Sequence, residues 1–269
     1  MLSFCAVFAL SGCAQNTVTG ESRLIDVMAD ADVAAQPASA GGISKMVTQA
    51  GPSYVTLNVS KIDSESNKPS ERNRKALTSG SGFVVDSNGL IMTAGHVAVA
   101  KGNLVSARAG DGKVYTGRVI GVVPEHDMAL IKLNGFSGKA VVPASQTCVP
   151  RGTEVFSLGK PHDQRDVARL GRIDSMRFGR AVKYGAFGYP DAMVVHMGTQ
   201  RGESGGPLFN VKGELQGMIV STLSNGDGTP LRLAHALPIS DLAGFYCDSA
   251  SCGSRWKALA KQSAGACGE

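Results

Sequence analysis

Gly202-Glu203-Ser204-Gly205-Gly206-Pro207-Leu208 sets a serine on a turn built largely of glycine. A nucleophilic serine needs its hydroxyl on a tight turn whose backbone N–H groups converge on the substrate carbonyl oxygen, and glycine before and after it permits that backbone. On this reading Gly202 and Ser204 donate the two N–H groups of an oxyanion hole. A serine among glycines is by itself an ordinary turn, so its meaning depends on what else the chain carries. Upstream, Thr93-Ala94-Gly95-His96-Val97 follows the apolar Leu90 to Met92 and puts an imidazole just past a strand end. His126-Asp127-Met128-Ala129-Leu130-Ile131-Lys132-Leu133 places a carboxylate directly before an alternating strand. Each alone has a plain structural reading, the histidine as a surface or core residue and the aspartate as a turn residue. Together they run His, Asp, Ser along the chain, each at the edge of a predicted strand, and independent coincidence becomes a poor explanation.

Around these motifs short apolar segments recur between turn signals, which predicts strands. The first series is Tyr54 to Val59, Gly82 to Val85, Leu90 to Thr93, Leu104 to Arg108, Tyr115 to Val123 and Ala129 to Leu133. The second is Glu154 to Leu158, Val167 to Met176, Met193 to His196, Pro207 to Asn210, Leu215 to Ser221 and Leu233 to Leu237. The fold expected is all-β: two six-stranded antiparallel barrels, about 43–140 and 141–238, with a link near 133–151 marked by Gly135, Gly138, Pro143 and Pro150. After Pro238, the spacing of Ile239, Leu242, Ala243 and Tyr246 predicts a short helix capped by Ser240, and Trp256 to Gln262 a further turn. The polar stretch from Ser64 to Ser81 reads as an exposed loop. The composition agrees: 34 glycines in 269 residues favour many strands joined by tight turns, and 43% hydrophobic residues fill a core. The net charge of +5 is scattered rather than gathered into a run, which gives nucleic-acid binding little support.

On the segments Gly80-Ser81-Gly82-Phe83-Val84-Val85-Asp86 with Thr93 to His96, Asp127 to Ile131, and Gly202 to Phe209 with Gly213 and Gly217, the chain resembles the trypsin-like serine peptidases. Within them it is most similar to the bacterial HtrA/Deg-type protease domain. The resemblance spans about 43–246. It implies a chymotrypsin-like Greek-key fold, no cofactor or metal, and protein or peptide substrates. It further implies a serine endopeptidase in which Ser204 attacks, His96 shuttles the proton and Asp127 orients the imidazole, through an acyl-enzyme intermediate. It places the substrate pocket at Gly198, Thr199, Ser221, Thr222 and Leu223. Gly198 stands where trypsin carries its aspartate, so cleavage after Lys or Arg is disfavoured and small or medium apolar residues are expected there. Glu203 holds the position at which many relatives carry an Asp paired with a freshly cut N-terminus; here Arg201, another cation or solvent is its expected partner. Val97 replaces the cysteine that follows the histidine in animal enzymes. The chain ends soon after its helix, so a PDZ module is expected to be absent.

At the other end, Met1 to Leu10 is apolar and too short to span a bilayer, and Leu10-Ser11-Gly12-Cys13 resembles the lipobox of bacterial lipoproteins. Residues 1–13 are then a signal and lipobox, with Cys13 the lipidation site. Ala14 points to the periplasmic side of the outer membrane. Residues 14–42 read as a tether, and 247–269 as a tail holding Cys247, Cys252 and Cys267. With Cys148 these are the four cysteines of the mature chain, which allow three pairings; disulfides suit an exported protein better than zinc, for which no Cys-x-x-Cys spacing is present. Two other functions fit the same residues: a pseudoprotease that only binds peptides in its cleft, and an esterase using the same triad. His126 and His162 have structural readings, and His196 and His235 belong to strands as core or cleft-wall residues. The oligomeric state is left open.

Overall fold

The fold was analysed in a computed structural model that describes residues 17–20, 23–29, 37–61, 76–162 and 164–262. Three elements precede the barrels: β1 (Thr17–Gly20), β2 (Arg23–Ala29) and α1 (Pro37–Ala50). The first barrel is formed by β3 (Tyr54–Ser60), β4 (Thr78–Asp86), β5 (Leu90–Ala94), β6 (Leu104–Arg108), β7 (Val114–Val123) and β8 (Met128–Leu133). It closes in the order β3-β4-β5-β8-β7-β6, antiparallel throughout, and a four-residue helix α2 (Gly95–Ala98) leaves the end of β5.

The second barrel uses β9 (Glu154–Gly159), β10 (Asp166–Ser175), β13 (Met193–His196), β14 (Pro207–Asn210), β15 (Leu215–Ser224) and β16 (Pro230–Pro238). Its ring runs β9-β10-β13-β16-β15-β14 and closes where β14 pairs with β9 through Leu208 and Ser157. Between β10 and β13 a separate hairpin is inserted, β11 (Val182–Tyr184) and β12 (Phe187–Tyr189). Two helices finish the chain, α3 (Ile239–Ser249) and α4 (Ser254–Ala260). Among the described residues no helix is long and apolar enough to cross a membrane.

The two-residue period of a strand explains how one sequence fills two cores. In the second barrel Val155, Met193, Val195, Leu208, Ile219, Ala234 and Ala236 turn inward and pack on one another. Their strand neighbours Phe156, Leu158, Phe209, Met218, Val220 and Leu237 turn outward and join the larger core that contains the first barrel and α3. Phe156 and Phe209 stack with centroids 5.2 Å apart in this outer layer. Each fully buried side chain of this size contributes about 1.5–3 kcal/mol of transfer free energy, so the barrels are held together by the same kind of force that fills them.

Several expectations are altered. The segment 14–42, read as a tether, carries a hairpin whose β2 lies parallel to β10, Ile25 opposite Asp166 through Ala29 opposite Leu170. A sequence without sustained period gave no sign of this, because a strand added at a sheet edge is stabilised by backbone hydrogen bonds that carry no side-chain signature. Thr78 to Ser81, read as loop, belong to β4. Ser240 does not cap α3: Pro238 is the cap residue without a side-chain bond, and the Ser240 hydroxyl turns to Asp241 Oδ1 at 3.2 Å. The segment 247–269 is partly helical, with Tyr246 and Trp256 edge-to-face at 5.2 Å. Cys247 is bonded to Cys252, and Cys148 is in a disulfide as well, to a cysteine outside the described residues. Cys13 and the apolar leader also lie outside them.

Candidate active site

His96 and Asp127 are joined by the backbone before their side chains meet. Thr93 pairs with Ala129, and Ala94 with Met128, across β5 and β8, which brings the two strand ends side by side. Gly95 N–H donates to the Asp127 carbonyl at 2.9 Å, and His96 N–H donates to Asp127 Oδ1 at 2.8 Å. Asp127 is fully buried and takes a left-handed backbone, φ 49°, a conformation that Asp tolerates better than most residues. Its carboxylate then lies against the imidazole, with Nδ1 2.9 Å from Oδ2 and 3.1 Å from Oδ1. The carboxylate fixes the proton on Nδ1 and leaves Nε2 as the acceptor.

The hairpin β11–β12 adds a residue that no motif announced. The Tyr184 hydroxyl donates to Asp127 Oδ2, and the Tyr184 ring packs edge-on to His96 with centroids 5.5 Å apart. Burial, followed by the nearby Asp127 charge, raises the Tyr184 hydroxyl far above its ordinary value and keeps it protonated as a donor. The base of the hairpin is fixed independently. Tyr189 bonds to Ser221 Oγ at 2.8 Å and to His235 Nδ1 at 2.7 Å, and Phe178 lies on the His235 ring at 4.2 Å. Burial, the largest influence, depresses His235 to about 4, so it is neutral. Asp191 accepts from the N–H groups of Phe178, Gly179 and Ala192 at 2.9 Å each, closing the loop.

Ser204 comes from the second barrel, on the turn before β14. Gly202 and Gly205 have φ of 98° and 83°, which only glycine adopts without strain. A Cβ on Gly205 would stand 2.2 Å from Ser81 O and Thr93 Oγ1, so glycine also lets the turn lie against the first barrel. Ser81, on β4, staples the two together. Its N–H donates to the Ser204 carbonyl at 2.9 Å and its hydroxyl to the Gly202 carbonyl at 2.8 Å. The Arg201 carbonyl accepts from His162 N–H at 3.1 Å, and in a trans peptide the Gly202 N–H points the opposite way. Among the described residues neither Gly202 N–H nor Ser204 N–H has an acceptor. The Ser204 hydroxyl is directed to the Val220 carbonyl at 3.3 Å, and no hydrogen bond joins it to His96.

Glu203, beside the serine, is buried, and its partner is Arg169 of β10 rather than Arg201 or solvent. Arg169 Nε reaches Oε1 at 2.7 Å and Oε2 at 2.8 Å, while Gln200 N–H adds 3.1 Å to Oε1. Burial raises the Glu203 carboxyl above the usual range, against the lowering effect of Arg169. A charge pair this enclosed is maintained only when both members are present. Together they tie residues 200–203 to the wall of the second barrel.

His96, Tyr184, Thr199, Gln200, Ser204, Val220, Ser221 and Thr222 line one open cleft of about 820 Å³ between the barrels. A smaller cavity of about 380 Å³ shares Thr199, Gln200 and Thr222 with it and adds Gly198 and Arg169. Four of the five predicted pocket residues therefore line one or both of these spaces; Leu223 lines neither.

Residues 80–218 match the family of the trypsin-like peptidase domain, just over half of the chain. The chain belongs to that family. Its peptidase domain is 30% identical over 178 residues to a probable periplasmic serine endoprotease DegP-like of Brucella suis, a match covering 65% of this chain and 34% of the relative. A protein of the same description from Pseudomonas putida is 30% identical over 169 residues, covering 63% and 34%. The matched region thus spans about a third of these relatives' length. In fold, the peptidase domain resembles the inactive form of the Rv3671c protease, from M. tuberculosis, with a TM-score of 0.62 and 23% identity, covering 84% of this chain and 100% of that one. The HtrA-type protease AlgW with tripeptide gives 0.59 at 22%, covering 72% and 59%.

Arg169 and Tyr184 are the residues of the site that sequence reasoning missed. Arg169 did leave a signal: a lone arginine in the apolar run Val167-Ala168-Arg169-Leu170, where a charge must be paired to be buried. Tyr184 left none, because a tyrosine in a short glycine-rich hairpin has no fixed partner until the hairpin is placed.

Proposed function

We propose that this protein is a serine endopeptidase of a bacterial cell envelope, hydrolysing peptide bonds of proteins through His96, Asp127 and Ser204. The observation that carries the proposal is the Nδ1–carboxylate bond of His96 and Asp127 in the cleft that Ser204 also lines. Rotation about the Cα–Cβ bond of Ser204 releases its hydroxyl from Val220 and turns it to Nε2 of His96; such bonds are commonly loose before substrate binds. His96 removes the proton as Oγ attacks the scissile carbonyl. The negative oxygen of the tetrahedral intermediate is met by the N–H groups of Gly202 and Ser204, whose unused donors support that role. His96 then protonates the leaving amine, and water repeats the sequence on the acyl-enzyme.

Asp127 stabilises the imidazolium, and the Tyr184 hydroxyl holds Asp127 in place from the opposite side. The Arg169–Glu203 pair takes the place of a newly cut N-terminus, so the serine turn is supported by residues already inside the chain. The periplasmic setting of the DegP-like relatives supports an envelope setting. A lipid on Cys13 is the anchor proposed from the lipobox, and Cys13→Ser tests it: processing, membrane fractionation and mass should all change.

Full-length protein and its Ser204→Ala variant, incubated with a mixed peptide library and read by mass spectrometry, test the activity. Cleavage that vanishes in the variant is expected. Cleavage of esters but not peptides would reassign the triad to an esterase, and failure of Ser204 to react with a fluorophosphonate would leave a peptide-binding cleft.

A further inference from the structure

The register of β5 and β8 joins His96 to Asp127, but it leaves open how far that pair stands from Ser204, which belongs to the other barrel. One strand touches the turns that carry both residues. On β4, the Ser81 N–H and hydroxyl hold the serine turn by its Ser204 and Gly202 carbonyls. Three residues earlier, the Thr78 hydroxyl donates to the carbonyl of Val97, the residue after His96. Thr93, just before the histidine turn, donates through Oγ1 to the Ser81 carbonyl at 2.7 Å. Between the two clamps Gly80 closes the gap. A Cβ there would stand 2.6 Å from both γ-carbons of Val97 and 3.1 Å from the Ser204 carbonyl oxygen, so β4 already lies against both turns. Thr78 and Gly80 are two residues apart and share a face of the strand, the one turned to Val97.

The histidine turn needs a clamp because it is strained. Val99 has φ 66° and ψ −60°, and Ala100 N–H donates to the Ala98 carbonyl across it at 2.8 Å. This is a γ-turn of the rare, strained kind, and at a β-branched residue a positive φ is an outlier. Such strain persists only where the surroundings over-determine it, and it gathers at active sites. Here Thr78 holds Val97 on one side. On the other, the buried Asn103 donates through Nδ2 to the Ala98 carbonyl at 3.1 Å. Val99 N–H, on the Gly95 carbonyl at 2.8 Å, closes the turn.

We propose that β4 from Thr78 to Ser81 is the spacer that sets the distance between His96 and Ser204, with Thr78 the positioning residue for the histidine turn. This rests on the peptidase reading and deepens it: a strand that contributes no residue to the triad brings its two halves together. Thr78 does not line the cleft, so its loss reaches the reaction only through His96.

Thr78→Val keeps the shape of the side chain and deletes the hydroxyl. In the full-length protein its kcat on a cleaved peptide should fall about tenfold with KM unchanged, and Thr78→Ser, which restores the hydroxyl, should restore kcat. Gly80→Ala wedges the turns apart and should lower kcat about a hundredfold, the scale of a misplacement of about 1 Å. Trimming Val97 makes room for the added methyl, so Gly80→Ala combined with Val97→Ala should recover most of that loss. The bond from His96 to Asp127 is set by register, so the Nδ1 proton of His96 should keep its NMR signal in Thr78→Val. Loss of that signal would mean that Thr78 supports the pair itself and not its spacing, which overturns the proposal. Wild-type kcat in Thr78→Val, an equal fall in Thr78→Ser, or no recovery from Val97→Ala also overturns it and leaves the peptidase standing. If the wild-type protein cuts no peptide, the peptidase reading is the one that fails, and amide exchange decides the spacer. Val99 N–H should exchange about tenfold faster in Thr78→Val, the worth of one hydrogen bond, and at the wild-type rate in Thr78→Ser; equal rates in all three proteins overturn the proposal.

Discussion

The two barrels contribute to one site by opposite means. The first presents His96 and Asp127 through backbone geometry: strand register, a Gly95 N–H and a His96 N–H set the pair before any side-chain choice is made. The second presents Ser204 on a turn that its own strand does not define. That turn stays in place because Glu203 is tied to Arg169 and because Ser81 reaches across from the first barrel. A group held by register is insensitive to side-chain changes nearby, whereas a group held by a buried charge pair depends on each partner.

The comparison can be broken most completely at Ser204 itself. Ser204→Ala should lower kcat by about a millionfold, the scale of nucleophile removal where residues act as a unit, with thermal unfolding unchanged. Glu203→Ala comes next, because it leaves Arg169 buried without a counter-charge. A loss of about 3–5 kcal/mol in unfolding free energy is expected, and denaturant titration beside a kcat measurement should show stability and activity falling together. Ser81→Ala removes the staple between the barrels, at a cost of about 1–3 kcal/mol for the groups left unpaired. Here kcat should fall more than stability, since the turn loosens without exposing a core.

At the inserted hairpin and the residues that anchor it the effects should be smaller. Tyr184→Phe deletes one donor to Asp127 and keeps the ring on His96; kcat is expected to fall about tenfold, the worth of a hydrogen bond to a charged group, with KM unchanged. An equal loss in both would mean that the hairpin shapes the cleft rather than holding the carboxylate. The smallest effect concerns pH. His235, depressed from 6.5 to about 4, contributes stability that is present above 6.5 and lost as pH falls through about 4. Urea midpoints should therefore decline across that window, and the decline should be shallower in His235→Gln.

Both barrels were legible in the sequence, and each of the twelve strands read from it appears within a few residues of its place. Period-two alternation and glycine-rich turns are local properties, so a strand whose face must be buried announces itself wherever it lies. The inserted hairpin β11–β12 and the added β1–β2 were not legible for the converse reason. Their strands are short, three and four residues apart from β2, and are held by pairing and by contacts with distant residues.

The sequence by itself determined the order His96, Asp127, Ser204 and the glycines around the serine, because those are demands of residue type and spacing. Which cation neutralises Glu203 and which tyrosine steadies Asp127 were decided only by the tertiary structure. Arg169 lies 34 residues before Glu203 and Tyr184 lies 57 after Asp127. No local pattern links such pairs; the closure of the second barrel and the placement of its inserted hairpin do.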